Sequence, residues 1–150
     1  MFEFENVHDI LSFAISLEHI SREFYLELVD QVSDPAVQIF LEEMAGQEAM
    51  HEQQLRSLLE EGDALLLTKV DPKEVAAYIE TLHIPNDLDY KKAVKIARDK
   101  ENASRMLYTI LAGLANEKEQ RRLFLYLAEQ EQKHKEFFEK EYHRICLGEN

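Results

Sequence analysis

Apolar residues recur along most of this chain at alternating steps of three and four, the period of a helix with one buried face. The first such stripe is Val7, Leu11, Ala14, Glu18, Ser21, Tyr25, Leu28, Val32, and the second is Val37, Leu41, Met44, Glu48, His51, Leu55, Leu58. A third runs Val94, Ala97, Glu101, Ser104, Tyr108, Leu111, Ala115, and a fourth Phe124, Leu127, Glu131, His134, Phe138, Ile145, interrupted by Glu141. The breaks fall where helix-stopping chemistry is found. Ser33-Asp34-Pro35 supplies a cap, Ser33 or Asp34, with a first-turn proline, and Gly62-Asp63 ends the second pattern. The expected helices are therefore 7–32, 34–61, 88–115 and 117–145. Two tight hairpins are joined by a long crossover, 62–88, in which Asp71-Pro72-Lys73-Glu74 opens a short helix as a capping box. That order predicts an all-α, single-domain fold over 1–150, a four-helix up-down-down-up bundle of the ferritin-like kind.

The two hairpins are copies of each other. Shifting residues 8–55 by 83 positions aligns them without a gap on 91–138, with ten identities. These include Glu18/Glu101, Ser21/Ser104, Arg22/Arg105, Tyr25/Tyr108, Glu48/Glu131 and His51/His134. The spacing ExxH by itself says little. With 22 Glu and 6 His, chance supplies about one such pair, and there are four. Glu5/His8 lies off the stripe near the chain start, and Glu80/His83 lies in the crossover. Only Glu48/His51 and Glu131/His134 occupy stripe positions, each where an apolar residue is expected.

Four carboxylates on buried seams cost several kcal/mol each, roughly, unless they are compensated. Two divalent cations balance four carboxylates, and two neutral imidazoles complete a ligand set. Residues at i and i+3 share a helix face, so Glu48 can bridge two metals while His51 binds one, and Glu131 with His134 repeats the arrangement. One Glu from each of two helices and an ExxH pair from each of the others is the pattern of di-iron or di-manganese carboxylate proteins. Mixed carboxylate and imidazole donors suit iron or manganese better than structural zinc. Two readings compete: misphased surface charges, and a metal-free Glu–His network. Matching depth at a single offset argues against the first, and four acids for two histidines against the second.

Tyr25 and Tyr108, two turns beyond the lone glutamates, are candidate hydrogen-bond donors to the ligands or electron sources; ordinary core is the alternative. Arg22 and Arg105 read as partners of nearby acids, and Met50, Met106 and Phe24 as packing. A net charge of -13 disfavours nucleic acid and anionic membrane surfaces. The single cysteine, Cys146, forms no internal disulfide and no CxxC pair. The start lacks signal-peptide features and no apolar run spans a membrane, so a cytoplasmic protein is expected. Apolar Leu65, Leu66, Leu67 and Val70 make a homodimer plausible.

The segments Ala14-x3-Glu18-x6-Tyr25, Ala45-x2-Glu48-x2-His51, Ala97-x3-Glu101-x6-Tyr108 and Ala128-x2-Glu131-x2-His134 resemble the rubrerythrin and bacterioferritin branch of the ferritin-like superfamily. The resemblance implies two irons bridged by Glu48 and Glu131, with Glu18 and His51 terminal on one and Glu101 and His134 on the other. It implies reduction of hydrogen peroxide or dioxygen, in oxidative-stress defence, or else iron oxidation for storage or detoxification. A metal-free interaction module is the third reading. Three departures qualify it. The two CxxC motifs of a rubredoxin-like domain are missing, so a separate electron-donor protein is expected. Ser104 stands where rubrerythrins carry a further glutamate, which puts peroxidase-type ligand exchange in doubt. The chain ends soon after its fourth helix, which disfavours a 24-subunit cage.

Overall fold

The computed structural model describes residues 7–61 and 89–148. The crossover 62–88 with its expected short helix, and Glu5, Glu80 and His83, lie outside the described residues. Four helices are present: α1 (Val7–Val29), α2 (Pro35–Glu60), α3 (Tyr90–Leu114) and α4 (Lys118–Cys146). The chain divides into two compact units, with α1 packed on α2 in one and α3 on α4 in the other. No described helix is long and apolar enough to cross a membrane.

In the first hairpin, Asp34 caps α2 by accepting from the Ala36 amide at 2.9 Å, and Pro35 takes the first helical position, where its missing N–H costs nothing. α1 ends at Val29, three residues before the expected Val32. Its last turn tightens, with Asp30, Gln31 and Val32 donating to carbonyls three residues back. The Gln38 side chain then reaches across and donates to the Val32 carbonyl at 2.5 Å, satisfying one of the acceptors that a helix end leaves open.

The second hairpin repeats the contact across the turn but not the cap. Arg121 donates to the Ala115 carbonyl at 3.1 Å, and these are the residues 83 positions after Gln38 and Val32. Glu117, at the position of Asp34, makes no side-chain cap bond to α4, whereas Asp89 caps α3 by accepting from Lys92 N at 2.8 Å. α1 and α3, and likewise α2 and α4, begin at positions related by the same offset. At the far end Gly148 adopts φ 70°, the left-handed conformation that glycine tolerates after a helix.

The stripes are buried almost throughout: Leu11, Ala14, Tyr25, Leu28, Leu41, Met44, Leu55, Val94, Ala97, Tyr108, Leu111, Phe124, Leu127 and Phe138 are core. Two packing expectations are overturned. Met50 is 58% exposed, one position and about 100° from His51, and Met106 is 40% exposed, two positions from both Ser104 and Tyr108 and so on the far side of the helix from its stripe. Phe24 is buried as expected. Ile145, in the last turn of α4, is only half-buried. Glu141, the break in the fourth stripe, is buried with partners: Tyr90 donates to Oε1 at 2.8 Å and Arg144 Nε donates to Oε2 at 3.0 Å. The second hairpin thus carries polar groups where the first carries apolar ones, with Lys100, Gln120 and Glu141 in place of Leu17, Val37 and Leu58.

Candidate metal centre

Each hairpin sets three ligand-type side chains at one depth. In the first, α1 supplies Glu18, midway along its stripe, and α2 supplies Glu48 and His51, one turn apart on one face. Their exposures are 2%, 1% and 2%. His51 Nδ1 lies 3.5 Å from Glu18 Oε2 and 3.8 Å from Glu48 Oε2. In the second hairpin α3 supplies Glu101 and α4 supplies Glu131 and His134, with exposures of 1%, 1% and 2%. His134 Nδ1 lies 3.4 Å from Glu101 Oε1 and 3.6 Å from Glu131 Oε2. The two arrangements agree to within a few tenths of an ångström.

These separations suit a shared ion. An N–H···O hydrogen bond is about 2.7–3.2 Å long, and all four separations exceed it. Two donor atoms each about 2.1 Å from one ion stand roughly 3–4 Å apart, depending on the angle between them. Both histidines turn the same nitrogen, Nδ1, toward their carboxylates, an orientation that suits joint ligation. Within each hairpin the Glu, Glu and His offer ligand atoms within 4.8 Å of one another. The donor set therefore fits a divalent ion of the iron or manganese class, and each hairpin carries a half-set of one imidazole and two carboxylates.

Other expected residues fall as follows. Tyr25 is fully buried and Tyr108 is 1% exposed, on the same faces as Glu18 and Glu101, with Ser21 and Ser104 one turn nearer the glutamates. Arg22 bonds His19 Nδ1 at 3.0 Å and Glu23 at 3.4 Å, and Arg105 makes the equivalent contact to Asn102 at 3.1 Å. His8, of the rejected first ExxH pair, is exposed on α1, and Cys146 is exposed at the end of α4. Sequence reasoning missed two features beside the ligands. His19 and Glu52, each one residue past a ligand, meet across the hairpin at 3.3 Å, with Arg56 on Glu52 at 3.1 Å. Lys100, beside Glu101, is buried at 2% exposure. The departure from the repeat at Leu17/Lys100 was the available signal for the second.

Comparison with solved structures supplies the fold's relatives. A hypothetical protein from Pyrococcus furiosus is similar at 23% identity and a TM-score of 0.77, over 97% of this chain and 94% of that one. A protein from Thermotoga maritima, described as a candidate ferritin-like diiron-carboxylate protein, is similar at 22% identity and a TM-score of 0.74, over 97% and 99%. These likenesses show the fold class, an all-α ferritin-like four-helix bundle. No curated protein matches the chain. The family model Rubrerythrin matches residues 9–142, which takes in all six ligand-type residues and both tyrosines. The chain belongs to the rubrerythrin family.

Proposed function

We propose that the two half-sets act together as one non-haem di-iron centre in a single ferritin-like domain, and that the protein reduces hydrogen peroxide or dioxygen with electrons from a separate donor protein. The observation that carries this reading is the burial of four glutamates and two histidines at repeat-matched positions, with carboxylate–imidazole separations suited to shared ligation. Family membership and the diiron-carboxylate description of the Thermotoga maritima relative support the choice of iron. Manganese has the same donor preference and is the alternative occupant.

In this reading Glu18 and His51 would hold one ion, Glu101 and His134 the other, and Glu48 and Glu131 would be shared. A bound ferrous pair would supply two electrons at once, which with two protons take hydrogen peroxide to two waters. The protein's part is to hold the ligands still and exclude bulk water. All six residues are at most 2% exposed, and packed helix stripes fix their rotamers. Tyr25 and Tyr108, buried two turns along from the terminal glutamates, are the candidate donors of hydrogen bonds that orient carboxylates. Ser21 and Ser104 fill the intervening turn with short neutral side chains, so neither half offers a third carboxylate there.

The second reading is iron oxidation for storage or detoxification, which the same ligands support. Rapid mixing of the ferrous protein with peroxide or dioxygen separates the two. The oxidoreductase reading expects two irons oxidised per peroxide, followed by full re-reduction with an external reductant over repeated cycles. Accumulation of many ferric ions per chain, with no re-reducible pair, contradicts it.

A further inference from the structure

The 83-residue repeat breaks at three buried positions, where Lys100, Gln120 and Glu141 stand in the second hairpin for Leu17, Val37 and Leu58 in the first. Gln120 is neutral. Glu141 is met within its hairpin by the Tyr90 hydroxyl at 2.8 Å and by Arg144 Nε at 3.0 Å. Lys100 is the substitution that sets a charge beside the ligands. It is 2% exposed, against 3% for Leu17, and it directly precedes Glu101 on α3.

Lysine is almost never buried to this extent unless an opposite charge meets it. Among the described residues, the buried acids of the second hairpin are Glu101, Glu131 and Glu141. Arg144 already serves Glu141, whereas Glu101 and Glu131 share the single imidazole of His134, at 3.4 and 3.6 Å. The other acid next to Lys100, Asp99, is exposed and bonds Arg98 at 3.1 Å. Within its own hairpin, the counter-charge left for the Lys100 ammonium is the carboxylate pair of the half-set. The first hairpin has no equivalent, since its two cationic side chains, Arg22 and Arg56, are not buried and pair with Glu23 and Glu52.

The two half-sets are thereby unequal toward a cation. Two carboxylates and a neutral imidazole make each half-set dianionic, and a divalent ion neutralises it. In the second hairpin the ammonium already offsets one of those charges, so the same ion leaves an excess of positive charge in a buried site. Charges of one sign held close in a low-dielectric interior repel far more strongly than in water.

We infer that Lys100 is the resident counter-ion of the Glu101–Glu131–His134 half-set, and that it makes this half-set bind its divalent ion at least tenfold more weakly than Glu18–Glu48–His51, so that the first hairpin loads first. The inference rests on the two-ion reading proposed above. Lys100 is a positioning residue in this account: it touches no reacting atom and acts through the charge it places beside the ligands. In the metal-free chain it relieves the repulsion between Glu101 and Glu131, a relief that Leu17 does not give the first hairpin.

Isothermal titration calorimetry of the metal-free full chain with manganese(II), which shares the donor preference of ferrous iron, tests this. The wild type is expected to bind two ions in two steps whose dissociation constants differ at least tenfold. His134→Ala keeps the tight step, and His51→Ala loses it. Lys100→Leu installs the residue that the first hairpin buries at the same position, and it tightens the weak step at least tenfold. Lys100→Met, which keeps a long unbranched side chain without the charge, does the same if leucine disturbs the packing. A second readout needs no metal. Glu101→Gln removes one carboxylate charge at constant size, and in the metal-free chain it is expected to raise the urea midpoint more in the Lys100→Leu background than in the wild type. A lysine that only fills space would give equal shifts. Two steps of equal affinity, a weak step unchanged in both Lys100 variants, loss of the tight step in His134→Ala, or equal midpoint shifts overturn the inference. Equal steps would leave the two-ion reading standing, whereas fewer than one ion per wild-type chain would remove that reading and the loading order with it.

Discussion

At the scale of single residues, identical side chains mean different things at different depths. Twenty-two glutamates are present, and the four at the middle of buried stripes are held at 1–2% exposure. In each hairpin two buried carboxylates share one imidazole, so the metal-free protein holds like charges close together, a cost that an apolar side chain would not bring. Glu101→Leu is therefore expected to raise the urea midpoint of the metal-free chain, by about 1–4 kcal/mol in stability, while abolishing metal uptake. Loss of stability on that substitution would mean that the carboxylate is satisfied by protein groups alone. Glu48→Ala and Glu131→Ala are each expected to lose both metals, because the proposed assignment has each serve two ions, and elemental analysis of reconstituted protein reads this directly. His8→Ala, at an exposed ExxH histidine, should leave metal content at the wild-type level. Lys100 shows where residue-level reading stops. A lysine one position from a ligand reads as a surface charge on spacing alone, and only packing around α3 buries it.

At the scale of elements, hydrophobic period and caps located all four helices to within three residues of their ends. The largest discrepancy, at the end of α1, has a cause that no stripe reveals. The last turn tightens into short-range hydrogen bonds so that Gln38 can reach the Val32 carbonyl. That contact and its copy, Arg121 to Ala115, use unlike residues at repeat-equivalent positions, so identity between the halves did not flag them. Capping was legible: Asp34 was one of two candidates and is the residue that bonds Ala36 N. Asp34→Ala is expected to cost about 1 kcal/mol of stability, measured by chemical denaturation, with metal stoichiometry unchanged. Asp34→Asn should cost only a small part of that, since asparagine caps nearly as well. Periodicity marked Glu141 as a break but could not tell an exposed residue from a buried one. Its partners, Tyr90 and Arg144, come from the opposite end of α3 and the next turn of α4.

At the scale of the whole molecule, the internal repeat made the candidate site legible, because it selected two of four ExxH pairs and tied each to a lone glutamate. The geometry adds the separations, which exceed hydrogen-bond length and suit joint ligation, and the shared use of Nδ1. The choice of oxidant is not legible at any scale, since the same six ligand-type residues suit both proposed reactions, peroxide reduction and iron oxidation. An ion that binds only the folded chain stabilises it by mass action, by about 2.7 kcal/mol at a free concentration 100 times its dissociation constant. Thermal melts of metal-free and reconstituted protein should accordingly show a higher midpoint for the latter, and Glu48→Ala should erase the difference. The most direct measurement is anaerobic equilibrium dialysis of the metal-free protein against ferrous iron, with the iron bound per chain determined by elemental analysis. Saturation at two irons per chain is the predicted result; saturation below one would contradict the proposed di-iron centre.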